Sequence, residues 1–448
     1  MAKYNMMWMR RDLRLDDNAA LYHALKSGVP VRLLFIFDKN ILEKLGDKTD
    51  ARVTFLHDTI GQLAGELAEQ GSGIVVKYGR PADVWAELAK DEDLQSVYVN
   101  KDYETYAKKR DQAVSAILVG HGKQLHQYKD HVIFEYDEVT KDDGLPYTVF
   151  TPYKRKWMAK LASRTETPMD QSYYLKPYPT RKYISNMATV EQDEIPTLAS
   201  MGFERTAIEI PSTAVSQGLI RNYDQTRNYP AVDGTSRLGI HFRFGTISIR
   251  SKAAKAQHLN ETYLSELVWR DFYSMIMQHF PHVESESFRS KYDYIEWRDS
   301  EEDYKAWCEG RTGYPIVDAG MRELNTTGYM HNRVRMIVAS FFTKHLLLNW
   351  RKGERYFAEK LLDYDLASNS GGWQWAAGCG TDAAPYFRVF NPYTQADKFD
   401  KERKYIKKWV PEIDTDQYPE AIVEHKYARE RCLAAYKSGL AKADAAAS

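Results

Sequence analysis

Short apolar runs alternate with amphipathic stretches over the first 128 residues. The runs predict strands at 4–9, 31–37, 73–78, 96–100 and 124–128. The spacing of apolar residues between them predicts helices at 18–28, 50–70, 81–90 and 103–120. Continuous apolar strands that alternate with helices are typical of a parallel sheet covered on both faces. The segment therefore predicts a doubly wound, Rossmann-like α/β domain, although no GxGxxG follows its first strand to indicate dinucleotide binding.

The pattern changes twice further along the chain. Between 129 and 200 the periodicity is lost and Pro, Tyr and Lys dominate, which indicates a long interdomain connection. After 200, apolar residues recur at helical spacing, and we predict helices at 250–264, 265–280, 315–327, 330–350 and 353–362. The predicted organisation is an α/β domain (1–128), a linker (129–200) and an all-helical domain (201–448).

Composition narrows the classes of function. The 448 residues carry no net formal charge, so a nucleic-acid site would have to be a local patch. The three cysteines are far apart and form no CxxC, which argues against both a disulfide scaffold and a zinc site. The longest apolar run, 33–37, is too short to span a membrane, and the apolar start is too short for a signal peptide. We therefore expect a cytoplasmic protein without a membrane partner.

The segment 363–392, DYDLASNSGGWQWAAGCGTDAAPYFRVFNP, carries the densest candidate chemistry. It combines two aspartates, an asparagine, a predicted Gly-Gly turn and two tryptophans. Trp373 and Trp375 are two residues apart, so on a helix their side chains cannot share a face. One indole could then address a ligand while the other packs inward. Two partly buried tryptophans beside a Gly-rich helix start would give the same pattern.

Two further segments suggest ligand contacts. GTSRLG (234–239) offers backbone amides, two hydroxyls and a guanidinium, which suit a pyrophosphate, although an ordinary helix cap would look alike. Glu266, Trp269 and Arg270 share one helix face, on which an acceptor, a flat apolar plate and a cation suit a base outside the duplex. An amphipathic helix with a chance charge pair is the alternative.

These segments together resemble the DNA photolyase/cryptochrome family, nearest to its class I cyclobutane-pyrimidine-dimer photolyases. The matching motifs occur in the family's order and span nearly the whole chain. They are MMWMRRDLRLDDNAAL (6–21), GTSRLGIHFRFGTIS (234–248), ELVWRDFY (266–273), GRTGYPIVDAGMREL (310–324), MHNRVRM (330–336), segment 363–392 and IVEHKYARERCLAAY (422–436).

The resemblance implies an FAD cofactor in the helical domain. The residues that match the family's FAD contacts are Tyr223, Thr235, Ser236, Arg237, Leu238, Gly239, Glu266, Arg270, Asp363, Asp365 and Asn369. Gly239 stands where the family usually has Ser, so one hydroxyl contact would be lost. Asn369 matches the position that faces flavin N5, and an amide cannot supply a proton as a carboxylic acid can. No His or further carboxylate accompanies the two aspartates, so we expect no metal.

The resemblance also implies a substrate pocket and an electron relay. The positions that match contacts to the flipped dimer or to DNA are Glu266, Trp269, Arg270, Asn332, Arg333, Met336, Trp375 and Thr394, and those expected to act in catalysis are Glu266, Asn332, Met336 and Asn369. Because Asn332 and Met336 are four residues apart, we expect them to share a face from which Arg333 points away. Trp297, Trp350 and Trp373 match the family's electron-relay tryptophans.

The implied function is light-driven repair of cyclobutane pyrimidine dimers in DNA by a monomeric enzyme. The alternatives are a signalling cryptochrome, or a (6-4) photolyase, which would carry His at the positions of Asn332 and Met336. Trp375 stands where the branch that prefers single strands usually has Tyr. A second, antenna chromophore, folate or deazaflavin, stays open. Folate-binding relatives commonly have Glu at the position that Ala107 occupies in this chain. The nearest carboxylate here, that of Glu104, lies three residues earlier, so we favour a different antenna or none.

Overall fold

The structure is a computed structural model that describes residues 3–163 and 172–446. Its residues divide into two compact units, each formed from three segments of the chain. The first comprises Met1–Val139, Lys156–Thr213 and Leu238–His258, and the second comprises Thr140–Arg155, Ala214–Arg237 and Leu259–Ser448. The boundaries 1–128, 129–200 and 201–448 stay predictions, and residues 164–171 of the predicted linker lie outside the described residues.

The first unit contains a five-stranded parallel sheet in the order β3-β2-β1-β4-β5. Its strands are β1 (Tyr4–Met9), β2 (Val31–Asp38), β3 (Ile74–Gly79), β4 (Leu94–Asn100) and β5 (Gln124–Tyr128). The helices between and around them are α1 (Ala19–Lys26), α2 (Lys39–Leu42), α3 (Ala51–Ala68), α4 (Pro81–Leu88) and α5 (Thr105–Gly120). The predicted doubly wound sheet is confirmed.

Both faces of the central strands β1 and β2 are buried, which explains why these two strands are almost entirely apolar. On one face, Met7 and Phe35 belong to the same core cluster as Leu63 of α3. On the other face, Trp8 packs in a second cluster with Trp85 of α4. Successive side chains of a strand point to opposite faces, so a strand covered on both sides needs apolar residues at nearly every position.

Buried ion pairs attach a distant segment to this unit. Residues 238–258 carry α9 (Gly239–Phe244) and most of α10 (Ile249–Leu259). Arg250 donates to Asp17 at 3.0 Å and to Asp130 at 2.7 Å, and Arg14 also donates to Asp130 at 2.8 Å. Burial raises the pKa of Asp130, but the two guanidinium charges outweigh burial and hold that pKa below its ordinary value. Removing one partner would leave a buried charge unpaired.

The second unit is built from helices around an aromatic core that includes Trp307, Phe342 and Trp373. The remaining α-helices are α6 (Phe150–Ala162), α7 (Gln217–Arg221), α8 (Tyr223–Thr226), α11 (Glu261–His279), α12 (Glu301–Glu309), α13 (Pro315–Thr327), α14 (Asn332–Ser340), α15 (Trp350–Lys360), α16 (Leu366–Ala377), α17 (Pro392–Phe399), α18 (Lys404–Trp409) and α19 (His425–Ala446). Short 3₁₀ segments lie at Tyr173–Leu175, Thr180–Asn186 and Ala199–Met201 in the first unit, and at Pro281–Glu284 and Ser290–Tyr294 in the second. The second unit also contains a π-helical turn at Phe341–His345. The prediction of a helical second part is confirmed.

Two predicted helix boundaries are wrong. The helices predicted at 250–264 and 265–280 meet at Asn260, where the backbone is extended and the side chain accepts a hydrogen bond from the Tyr263 N–H. The helix predicted over 330–350 ends as the π-helical turn, and Leu347 adopts a left-handed φ of 53°. Capping and backbone reversals override apolar periodicity at both places.

The predicted Gly-Gly turn is also wrong, because both glycines lie inside α16. A Cβ added at Gly371 would lie 2.3 Å from the ring of Tyr273 on α11. In the same way, a Cβ at Gly353 of α15 would lie 2.2 Å from the indole of Trp373 on α16. Gly353 and Gly371 therefore let α16 approach α15 and α11 more closely than any side chain would permit.

We expect Gly371→Ala to lower the free energy of unfolding by about 1–3 kcal/mol, the usual effect of overpacking a filled contact. Gly372→Ala is the matched control, since nothing lies within 4 Å of a Cβ at that position. It should raise the stability by up to about 1 kcal/mol through helix propensity alone. Urea unfolding of both variants measures the difference, and equal stabilities would contradict the close approach.

Candidate functional site

Three polar side chains before and within the first turn of α16 are fixed by hydrogen bonds. Asp365 caps the helix and accepts from the Ser368 N–H at 3.1 Å. Asp363 accepts two bonds from Arg335, at 3.0 and 3.1 Å. Asn369 donates from its amide nitrogen to the carbonyl and the carboxylate of Glu354, at 3.1 and 2.8 Å. Because both carboxylates have lone pairs beyond these bonds, they can accept from the hydroxyl groups of a ligand.

The loop before α9 places hydroxyls and a guanidinium together. Thr235 lies 3.0 Å from the hydroxyl of Tyr329, and Ser236 lies 3.2 Å from that of Tyr263. Arg237 adopts a left-handed φ of 50°, and its guanidinium lies over the Tyr329 ring. Tyr223 packs edge-on against Tyr263, with ring centroids 5.1 Å apart. Leu238 and Gly239, the last two predicted phosphate contacts, lie at the start of α9 and belong to the first unit.

Four arginines, Arg227, Arg237, Arg333 and Arg335, form an arginine cluster around His331. Burial and the positive charges of these four residues lower the pKa of His331 to about 4, so its imidazole is neutral at physiological pH. Its Nδ1 accepts from the Arg333 N–H and caps α14, whereas its buried Nε2 has no hydrogen-bond partner within the described chain. A concentration of positive charge beside an unused donor suits an anion such as a pyrophosphate.

On α11, Glu266 and Trp269 lie one turn apart. Burial raises the pKa of Glu266, and its ion pair with Arg227 opposes that shift. Trp269 is half-buried, and one face of its indole is stacked on Phe150. Arg270 follows and is also half-buried. A desolvated carboxyl group beside an aromatic plate can pair with the edge of a planar base and stack on its face.

The expectation that Arg333 points away from Asn332 and Met336 is wrong in part. Its Nη1 approaches the sulfur of Met336 at 3.6 Å, because residues three apart on a helix are neighbours just as residues four apart are. Its Nη2 donates to Asn228 at 2.7 Å. Asn332 is exposed and Met336 is half-buried.

The predicted relay tryptophans differ in environment. Trp373 is buried, and its indole meets that of Trp307 at a centroid distance of 6.0 Å. Trp350 is buried at the start of α15 beneath Arg351, and Trp297 is half-buried with its ring 5.9 Å from that of Tyr436.

The last two predicted DNA contacts, Trp375 and Thr394, differ in solvent exposure. Trp375 is half-buried against the aromatic core of the second unit, and Thr394 is exposed on α17. As two residues on one helix, Trp373 and Trp375 separate into an inner and an outer position, as their spacing predicts.

Several residues of the site escaped the sequence reading. Arg227, Tyr329 and Glu354 carry no local motif of their own, because their partners lie elsewhere in the chain. Phe150 lies within the predicted linker, where the sequence has no periodic pattern that would mark it. Only Arg335 had a sequence signal, since it lies inside the MHNRVRM motif.

Neither a metal centre nor a membrane span is found in the described residues. No group of three or more His, Cys, Asp or Glu side chains between 3 and 163 or between 172 and 446 could hold a metal ion. Over the same ranges, no helix is both long and apolar enough to cross a membrane.

The chain is similar to known proteins over most of its length. Family models described as "DNA photolyase" and "FAD binding domain of DNA photolyase" match residues 5–171 and 263–416. A deoxyribodipyrimidine photo-lyase of Halobacterium salinarum is 36% identical, over 96% of this chain and 98% of the relative.

Two solved structures share the whole fold. A bacterial class III photolyase from Agrobacterium tumefaciens superposes with a TM-score of 0.83 at 31% identity, covering 98% of each chain. An archaeal photolyase from Sulfolobus tokodaii, solved with two FAD molecules, gives 0.80 at 33% identity, over 97% of this chain and 99% of the other. The chain therefore belongs to the DNA photolyase/cryptochrome family, and it carries that family's FAD-binding domain.

Proposed function

We propose that the protein repairs cyclobutane pyrimidine dimers in DNA with light, as a photolyase nearest to class I. The observation that carries the proposal is the pairing of Glu266 with the indole of Trp269, both half-buried and one turn apart on α11. The ion pair with Arg227 joins Glu266 to the arginine cluster. When bound in its reduced form, FAD would absorb light and supply the electron that splits the dimer.

The residues of the chain fit that cofactor. Arg237, Thr235 and Ser236 would hold the pyrophosphate, while Asp363 and Asp365 would accept from the ribityl hydroxyls. Asn369 is oriented by two acceptors of Glu354, so its amide nitrogen is occupied and its carbonyl oxygen is left to face a ligand. That oxygen can accept a hydrogen bond but cannot donate a proton.

A second set of side chains would bind the substrate. Trp269 would stack on the flipped dimer, and Glu266 would accept a hydrogen bond from the edge of a base. Asn332 and Met336 would line the same pocket, and Arg270, Arg333, Trp375 and Thr394 would contact DNA. One chain supplies all of these groups, so a monomer is sufficient, and we propose that it acts in the cytoplasm.

Illumination of dimer-containing duplex DNA with the reduced protein tests this function. We expect thymines to be restored under blue light and not in the dark, with Glu266→Ala lowering the yield of repair more than it weakens binding. A duplex that carries a (6-4) photoproduct is the control substrate. Repair of that lesion would favour the (6-4) alternative, and repair of neither lesion would favour a signalling cryptochrome.

We further propose that Trp373, Trp350 and Trp297 deliver electrons from the surface to FAD. Trp373→Phe should abolish light-driven reduction of oxidised FAD, because a phenyl ring is far harder to oxidise than an indole. Repair should persist once FAD has been reduced chemically. Absorbance of the bound flavin during illumination measures the first effect, and unchanged photoreduction would exclude Trp373 from the path.

We propose that this chain holds no folate antenna at the position its relatives use. Ala107 is buried in α5 and offers no carboxylate, and the carboxylate of Glu104 is already paired with Arg11 and Arg243, at 2.9 and 2.8 Å. Absorbance of freshly prepared protein should therefore show flavin bands, alone or with a deazaflavin band near the blue edge of the visible. A near-UV band that extracts as a reduced folate would contradict the proposal.

A further inference from the structure

The indole of Trp269 is stacked face to face on a phenylalanine. Its ring centroid lies 3.6 Å from that of Phe150, and the two planes differ by 7°. The ring of Phe272 meets the indole edge-on at 5.6 Å, and that of Tyr273 lies 5.4 Å away at 29°. Because Phe150 covers one face of the indole, at most the other face is left for another planar group, and Trp269 is only half-buried.

Phe150 is itself held in place from several directions. Only 8% of its surface is exposed, and its ring meets that of Phe272 at 5.7 Å, nearly perpendicular. It begins α6, and the next turn of that helix carries Lys154, which donates to Glu261 of α11 at 2.8 Å. The helix that bears Trp269 is thus tied to the segment that bears Phe150.

Tyr273 is fixed from the opposite helix. Gly371 of α16 leaves room for its ring, since a Cβ there would lie 2.3 Å from the ring carbons. The aromatic cluster of Phe150, Trp269, Phe272 and Tyr273 is therefore packed against rigid backbone. Such packing restricts the χ angles of Trp269 before any ligand arrives.

We propose that Phe150 is a positioning residue that braces Trp269, so that one face of the indole is presented to a flipped base and the other is permanently covered. The inference rests on the proposed function and adds to it the source of selectivity for damaged DNA. An indole that is already immobilised loses little entropy when a base stacks on it, so the complex is tighter. Phe150 does not touch the reacting atoms.

A different reading of the same stack gives the opposite prediction. If Phe150 occupied the place of the base, binding would have to displace it, and its removal would tighten the complex. The low exposure of Phe150 and its contact with Phe272 favour the brace. The sign of the change in affinity distinguishes the two.

The test compares Phe150→Ala with the wild-type protein loaded with FAD. We expect the dissociation constant for dimer-containing duplex to rise about tenfold, the upper range for one aromatic pair, while that for undamaged duplex stays unchanged. Phe150→Tyr, which retains the ring, should restore most of the affinity, and Val149→Ala, at the exposed neighbouring position, should have no effect. Tighter binding, or equal losses on both duplexes, would overturn the proposal.

A double-mutant cycle with Trp269→Ala separates bracing from general damage to the fold. Trp269→Ala alone should weaken binding to the dimer by about 5- to 150-fold. In that background Phe150→Ala should add almost nothing, because there is no indole left to brace. A full second loss would show that Phe150 acts through the fold and would overturn the proposal. Phe150→Leu replaces Phe150→Ala in the cycle if the alanine variant does not fold.

Failure of this inference differs from failure of the proposed function. A wild-type protein that binds both duplexes equally, and repairs neither, would remove the proposed function itself. A wild-type protein that prefers the dimer, with Phe150→Ala behaving identically, would remove only the brace.

Discussion

The close approach of α16 to its two neighbours is the constraint on which the helical unit depends. Gly353 lets α15 rest on the indole of Trp373, and Gly371 lets α16 rest on the ring of Tyr273. The N-terminal end of α16 carries Asp365 and Asn369, and α11 carries Glu266 and Trp269. Because the contacts involve backbone and rigid rings, the spacing between these two sets of side chains is fixed by packing rather than by flexible side chains.

Positive charge is concentrated at one place in the helical unit. The chain has no net charge, yet four arginines lie near one buried histidine, His331, and burial together with their charges lowers its pKa. Three of these arginines are partly compensated, Arg335 by Asp363, Arg227 by Glu266 and Arg237 by Asp233. The cluster is therefore positive enough to attract an anion and paired enough to be tolerated in a half-buried site. A local field of this kind is invisible in the overall composition.

Aromatic residues serve two purposes in the helical unit. Trp307, Phe342 and Trp373 fill the core, where edge-to-face contacts dominate. Phe150 and Trp269 instead stack face to face, an arrangement that leaves a flat surface available. Both edge-to-face and offset-stacked geometries are favourable for aromatic pairs, and the stacked one leaves the partly exposed Trp269 a flat surface.

The sequence by itself determined the α/β fold of the first unit, because strand and helix periods are local and the apolar runs are continuous. It also indicated most of the residues of the candidate site, since motifs such as GTSRLG and MHNRVRM keep their members within one turn or loop. Tertiary structure alone decided the helical state of Gly371 and Gly372, and the partners Arg227, Glu354 and Phe150. In each case the deciding contact joins residues far apart in the chain, or a backbone conformation that only packing selects, and no local pattern records either.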